Sequence, residues 1–415
     1  LSGALEARAR TNAEIVAPAR GRYAFPHRGA EEGTTVEVGG LRLVAMATPG
    51  HTPEHLAWVV HRGDAGGPEV GAPALEAVFT GGSLLIGTAG RTDLLGPDRT
   101  AELTHLQEET LRRLGALPPG VRILPTHGAG SFCSAGPAAT GGTSSVGAER
   151  AANPVLAAVD GGAFAKALLT GLGRFPTYYE RMAPLNRTGP AVLGARPTPP
   201  ILAPEAFALA AEGAARVVDV RRAETFAAGH VRGALNIELD ESFAAYVGWI
   251  LPFDQPLLLV LPEPPGPSID EAVTQLLRIG YVHVEGVLAG GFEAWRAAGR
   301  PISAYPTTTM DAVLAERAAG EVPSLLDVRQ AVEWHEDGVV AGARTIFVAD
   351  LPERIGELPR DRTITVACKA GGRAAIAASL LDAAGIDVRL VASGGMVGWP
   401  ARFAALERER GGAPG

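Results

Sequence analysis

The chain has 415 residues, too many for one ordinary domain, and its 47% hydrophobic and 20% charged residues are the balance of a globular protein. A net charge of -8 argues against a nucleic-acid partner, which calls for a basic face. No apolar run approaches the roughly 18 residues of a membrane span, so a membrane is not an expected partner either. Two cysteines, Cys133 and Cys368, make no disulfide framework, and the expected setting is a reducing cytoplasm. The chain opens Leu1-Ser2-Gly3 with no initiator methionine and reads as cut from something longer.

In chain order, Thr35 to Val38 and Leu41 to Met46 read as strands turning at Gly39-Gly40. A helix is expected over residues 100–114, and the small residues from Ser134 to Val146 read as a surface loop. The proline-rich stretch Ala195 to Pro200 is a linker. Beyond it the chain repeats itself. Val217-Val218-Asp219-Val220-Arg221 recurs 108 residues later as Leu325-Leu326-Asp327-Val328-Arg329, each a short apolar run of the kind that forms a buried parallel strand. Gly229-His230 is followed in the second copy by Gly338-Val339, and Gly290-Gly291 with Trp295 returns as Gly394-Gly395 with Trp399. Pro301 to Pro306 links the copies. Two α/β domains with parallel sheets are expected, over 201–302 and 307–411, after a different domain over 1–195.

The chemistry concentrates in the second copy. Strand-like Thr363 to Ala367 runs into Cys368-Lys369-Ala370-Gly371-Gly372-Arg373, and a helical run from Ala374 to Ala384 follows, with Gly385 as its C-cap. A cysteine between a strand end and a helix start meets free backbone N–H groups and the positive helix pole, which favour a negative sulfur. Gly371 and Gly372 let the loop curl around an anion, while Lys369 and Arg373 add charge, Arg373 in a bidentate manner. Cys368 is the candidate nucleophile; Lys369, Ala370, Gly371, Gly372 and Arg373 are the candidate substrate-binding residues.

This loop resembles the Cys-x-x-Gly-x-Arg site of rhodaneses, and its four residues between Cys368 and Arg373 differ from the five of cysteine-dependent phosphatases. The family's Gly-His-Ile-Pro-Gly-Ala is here Gly338-Val339-Val340-Ala341-Gly342-Ala343, without the histidine. Residues 201–302 are also similar to a rhodanese domain, but the stretch matching the cysteine loop, Val260-Leu261-Pro262-Glu263-Pro264, has no cysteine, and its prolines have no N–H to offer. That copy is expected to be a structural or docking module.

Thr48-Pro49-Gly50-His51-Thr52-Pro53, Phe79-Thr80-Gly81, Gly90 to Leu94 and Pro125 to Ser131 resemble the metallo-β-lactamase fold in its persulfide dioxygenase and glyoxalase II branches, which implies a partial αββα sandwich here. Gly147 to Arg150, Asn153-Pro154 and Leu185 to Arg187 resemble the dioxygenases fused to rhodanese domains. The resemblance implies iron or zinc, with His51 as a ligand and His127 in or beside the pocket. It also implies a first ligand cluster ahead of Ser2-Gly3, where this chain begins, and a carboxylate where Gly82 stands. Stoichiometric metal is therefore not expected in this chain. His55 and His61 read as satisfied or surface groups, and Cys133 as a packing thiol.

The implied function is transfer of sulfane sulfur from thiosulfate or a low-molecular-weight persulfide, through a Cys368 persulfide, to a thiol acceptor. A homodimer is left open. A glyoxalase II-like thioester hydrolase and a non-catalytic persulfide-binding scaffold are the alternatives for the N-terminal domain.

Overall fold

The computed structural model describes residues 1–62, 74–127, 142–263 and 266–411. Cys133, Pro264 and Pro265 lie outside the described residues, as does most of the 134–146 loop. At the far end of that stretch Ser144–Ser145 forms a short strand, and Val146 opens the helix Val146–Ala152. The chain divides into two compact units, one of residues 2–175 and 179–194, the other essentially 195–415 with 176–178.

In the first unit a six-stranded mixed sheet runs in spatial order Thr35–Val38, Leu41–Ala47, Leu56–Arg62, Ala74–Gly81, Arg122–Pro125, Ser144–Ser145. The glycine turn at Gly39-Gly40 joins the first two strands antiparallel, with Val38 opposite Leu41. Helix Pro97–Gly115 starts with proline in its first turn, where no N–H bond is lost, and ends with Arg112 and Arg113 near its negative pole. It buries Leu103, Leu111 and Leu114; the last two join Val78, Ile123 and Val155 in the unit's core.

The second unit holds two five-stranded, all-parallel sheets with the same strand order. The first runs Leu235–Asn236, Arg216–Asp219, Leu257–Val260, Val284–Leu288, Ile201–Leu202; the second runs Arg344–Thr345, Ser324–Asp327, Ile364–Ala367, Val388–Ser393, Thr307–Thr309. Leu257–Val260 and Ile364–Ala367 occupy the middle of their sheets and are buried at every residue, so the first is wholly apolar and the second is apolar but for Thr365.

The repeated Asp-Val-Arg closes a turn in each copy. Asp327 accepts from the Arg329 backbone N–H at 3.1 Å and from its guanidinium at 2.7 Å, and Arg329 donates onward to the Gly338 carbonyl at 2.7 Å. Asp219, Arg221 and Gly229 repeat the arrangement, with the Asp–Arg contact at 2.6 Å and the Arg–carbonyl contact at 2.9 Å. Burying a charge is costly unless it is paired and hydrogen-bonded, and both pairs are. The motif is a strand-end lock.

Register refines the pairing of the copies. Asp219 aligns with Val260, and Asp327 with Ala367. The residue after each central strand is therefore Leu261 in one copy and Cys368 in the other. A fully buried leucine stands where the second copy has its thiol.

Candidate functional site

Cys368 directly follows the buried strand Ile364–Ala367 and precedes the helix Gly372–Ala383, with Gly371 as N-cap. Its Sγ receives the backbone N–H of Gly371 at 3.1 Å and of Ala374 at 3.3 Å, and the residue is 2% exposed. Two N–H donors and the positive end of a twelve-residue helix therefore meet at the sulfur, an arrangement that stabilises negative charge there.

The loop needs its glycines for different reasons. Gly371 has φ +105, and a Cβ there would stand 2.9 Å from the Ala392 carbonyl oxygen. A Cβ on Gly395 would meet the Lys369 carbonyl oxygen at 1.8 Å, so the Gly394-Gly395 turn packs directly under the cysteine loop. Around a Cβ on Gly372 there is open space.

Arg373 differs from the expectation. Instead of reaching outward for an anion, its guanidinium makes a bidentate pair with Glu333, one arm at 2.7 Å. Glu333 belongs to the helix Ala331–Asp337, where it also accepts the Gln330 N–H in a capping box. Burial alone would raise the Glu333 carboxyl; the Arg373 guanidinium outweighs it and holds the group below the usual glutamate range. Arg373 thus fastens the start of the cysteine helix to the neighbouring helix. Lys369 is exposed at the mouth.

Cys368 to Arg373 line a cavity of about 450 Å³ together with residues of the first copy, Arg222, Glu238, Asp240 and Tyr246 among them. Nothing in the cysteine loop's own pattern points to these residues, which lie in another domain. Only the fold brings them in. The copy expected to be a structural or docking module is thus a wall of the site.

In the first unit the charge of one predicted histidine, His127, reaches the other, His51. His51 Nδ1–H donates to the Arg91 carbonyl at 2.9 Å, leaving Nε2 as its acceptor nitrogen. Burial, chiefly, lowers the His51 pKa, and His127 is close enough to lower it further. His55 is satisfied on both sides: Nε2 accepts the Gly82 N–H at 3.3 Å, and Nδ1 lies 2.8 Å from the Thr48 hydroxyl. Its pKa falls to about 4, mainly through burial. Asp93 is held bidentate by Arg91, both contacts at 2.6 Å. A Cβ on Gly82 would stand 2.3 Å from His51 Cδ2, so the imidazole packs against the backbone where a carboxylate ligand would have to start. Among the described residues no three His, Cys, Asp or Glu side chains gather closely enough to hold a metal ion. His51 and His127 alone do not fit an iron or zinc centre, which wants three protein ligands. The Glu149 and Asn153 segments are structural: Glu149 accepts from the Gly87 N–H at 2.8 Å, the Ser144 hydroxyl at 2.6 Å and the Asn153 amide at 2.9 Å.

Residues 203–298 and 309–402 each match the family model described as Rhodanese-like domain. The thiosulfate sulfurtransferase GlpE of Pseudomonas aeruginosa PAO1 is 34% identical over 108 residues, 26% of this chain and 88% of that protein. The GlpE of Pseudomonas entomophila L48 is 38% identical over 105 residues, 25% of this chain and 85% of its own length. A metallo-beta-lactamase from Staphylococcus aureus subsp. aureus COL superposes with a TM-score of 0.60 at 24% identity, covering 69% of this chain and 81% of that one. The parallel sheets, the paired Asp-Val-Arg locks and these matches define the class of fold as metallo-β-lactamase followed in sequence by two rhodanese-like domains. The chain belongs to the rhodanese family.

Proposed function

We propose that this chain is a sulfurtransferase whose second rhodanese domain carries sulfane sulfur on Cys368. The observation that supports it most directly is the pair of backbone N–H groups, from Gly371 and Ala374, aimed at a single thiol at a helix N-terminus. The Cys368 thiolate attacks the sulfane sulfur of thiosulfate or of a low-molecular-weight persulfide. The donor's S–S bond breaks with its electron pair on the departing sulfite or thiolate, and Cys368 is left as a persulfide anion. A thiolate acceptor then attacks the outer sulfur, releasing the Cys368 thiolate. The two N–H donors stabilise the sulfur whenever it carries charge. The expected setting is the reducing cytoplasm, where such acceptor thiols stay reduced.

For the N-terminal unit the residues described favour a binding scaffold over persulfide oxidation or thioester hydrolysis. His55 and Asp93 are committed elsewhere and Gly82 brings no carboxylate. This chain is accordingly proposed to bind no stoichiometric iron or zinc.

The test of the transfer reading is thiosulfate sulfurtransferase activity in wild type, Cys368→Ser and Cys133→Ser. Wild type and Cys133→Ser are expected to be active and Cys368→Ser inactive. Activity that survives Cys368→Ser would end the proposal.

A further inference from the structure

We propose that the cysteine-less first rhodanese domain supplies a substrate contact to the second: the Tyr246 hydroxyl donates a hydrogen bond to the outer sulfur of the Cys368 persulfide. The inference rests on the transfer reading above.

Tyr246 belongs to the helix Phe243–Ile250 of the first copy, which also buries Phe243, Val247 and Trp249. The Trp249 ring meets Phe347 of the second copy edge-on at 5.1 Å, anchoring this helix against the domain that carries the thiol. Tyr246 and Cys368 line the same cavity. The charges of Arg373, Cys368 and Glu333 all reach the phenol.

The other polar groups on this wall are committed or unsuited. Glu238 accepts the Ala223 N–H at 2.7 Å, and Asp240 accepts both the backbone N–H and the hydroxyl of Ser242 at 2.7 Å. Carboxylates cannot donate to an anionic sulfur. Arg222 is exposed at the rim. The Tyr246 hydroxyl makes no hydrogen bond to the described residues, so its proton is free for a ligand. Burial is the main reason that its pKa is pushed up to about 12, which keeps it a donor at neutral pH.

The two states of the sulfur call for different partners. The Gly371 and Ala374 N–H groups are spent on Sγ itself. When a second sulfur is added, the charge moves one bond outward from Sγ, into the cavity that Tyr246 also lines. No proton is transferred. Thiosulfate and thiolate enter, sulfite and acceptor persulfide leave, and the phenol keeps its hydrogen throughout.

The experiment compares full-length wild type, Tyr246→Phe and Cys368→Ser in thiosulfate-to-thiol transfer, with Cys368 persulfide followed by mass spectrometry. Tyr246→Phe keeps the ring and hence the wall. It is expected to lower kcat/KM for thiosulfate about 10- to 100-fold, as fits loss of one hydrogen bond to a charged group. Its alkylation rate at the resting Cys368 should stay at the wild-type level, because the hydrogen bonds to the resting Sγ come from the Gly371 and Ala374 backbone. The persulfide formed on Tyr246→Phe should also decay faster. A Tyr246→Phe protein within twofold of wild type in kcat/KM and persulfide lifetime would overturn the inference while leaving the sulfurtransferase reading intact. A wild type that neither transfers sulfur nor accumulates persulfide would overturn the reading on which the inference rests.

Discussion

Arg373 shows how a motif residue can change meaning once its neighbours are known. As a sequence feature it is a cation beside a nucleophile; in the fold its fork is filled by Glu333. Glu333→Gln would leave the guanidinium facing a neutral amide. The expected loss is about 3 kcal/mol, the low end for breaking a buried pair, because both side chains retain 13% exposure. Urea denaturation of the two proteins measures it. The sign of the pH dependence follows from the depressed Glu333 carboxyl: its stabilisation is complete above the ordinary glutamate value of 4.5 and is lost as pH falls through the lower folded value. Wild type should therefore lose stability on acidification more steeply than Glu333→Gln. Equal slopes would show that the pair contributes nothing. Gly82 illustrates the same dependence on neighbours. Aspartate there would have to displace the His51 ring before offering a carboxylate, so Gly82→Asp is expected to lower the melting temperature without creating tight iron or zinc binding. Metal content after dialysis, measured beside the melt, decides it.

At the scale of elements, the loop between Ile364–Ala367 and Gly372–Ala383 separates two adjacent glycines by function. Gly371→Ala places a side chain at φ +105 and 2.9 Å from a carbonyl oxygen, so the loop must shift and the N–H bonds to Sγ lengthen. Gly372→Ala enters open space at a helical position, where alanine is the better helix former. Transfer activity should fall at least tenfold in Gly371→Ala, a loss of about 1.4 kcal/mol of transition-state stabilisation, and stay near wild type in Gly372→Ala. Equal behaviour of the two would refute the assigned geometry. This contrast also marks what the sequence could tell. Strand, cysteine, glycines and helix are contiguous, so their chemistry is local and legible, as are the repeat and the Gly39-Gly40 turn. Glu333 and Tyr246 reach the site only through tertiary packing, and nothing in their local patterns points to Cys368. The Gln330–Glu333 capping box announces a helix start, not a partner for Arg373. His230 was legible only as a marker of the repeat, while its role depends on a helix from the other copy.

At the scale of the whole molecule, the two rhodanese copies meet along a polar seam inside one compact unit. Asp382 receives the His230 Nε2 at 3.2 Å and the Ser303 hydroxyl at 2.9 Å, and the Asn236 N–H donates to the Ser379 hydroxyl at 3.0 Å. Asp382 and Ser379 lie on Gly372–Ala383, the helix whose opposite end holds the sulfur. One helix therefore joins the seam to the nucleophile. The seam joins the two copies whose residues together line the sulfur cavity. Burial pushes the Asp382 carboxyl up, but His230 and Ser303 outweigh that and hold it below the ordinary aspartate value, so its contribution is present at neutral pH and lost on acidification. Removing the carboxylate in Asp382→Ala leaves His230, fully buried, without its acceptor on that side. Loss of charge-assisted hydrogen bonds of this kind costs about 2 kcal/mol. For a unit of roughly 200 residues that is a fall of about 4–8 °C in Tm. Calorimetry of the full chain should show the fall, and thiosulfate kcat/KM should drop with it although Asp382 does not line the sulfur cavity. A drop in Tm with unchanged kcat/KM would mean that the seam carries stability alone and that the position of the first copy does not matter to the thiol.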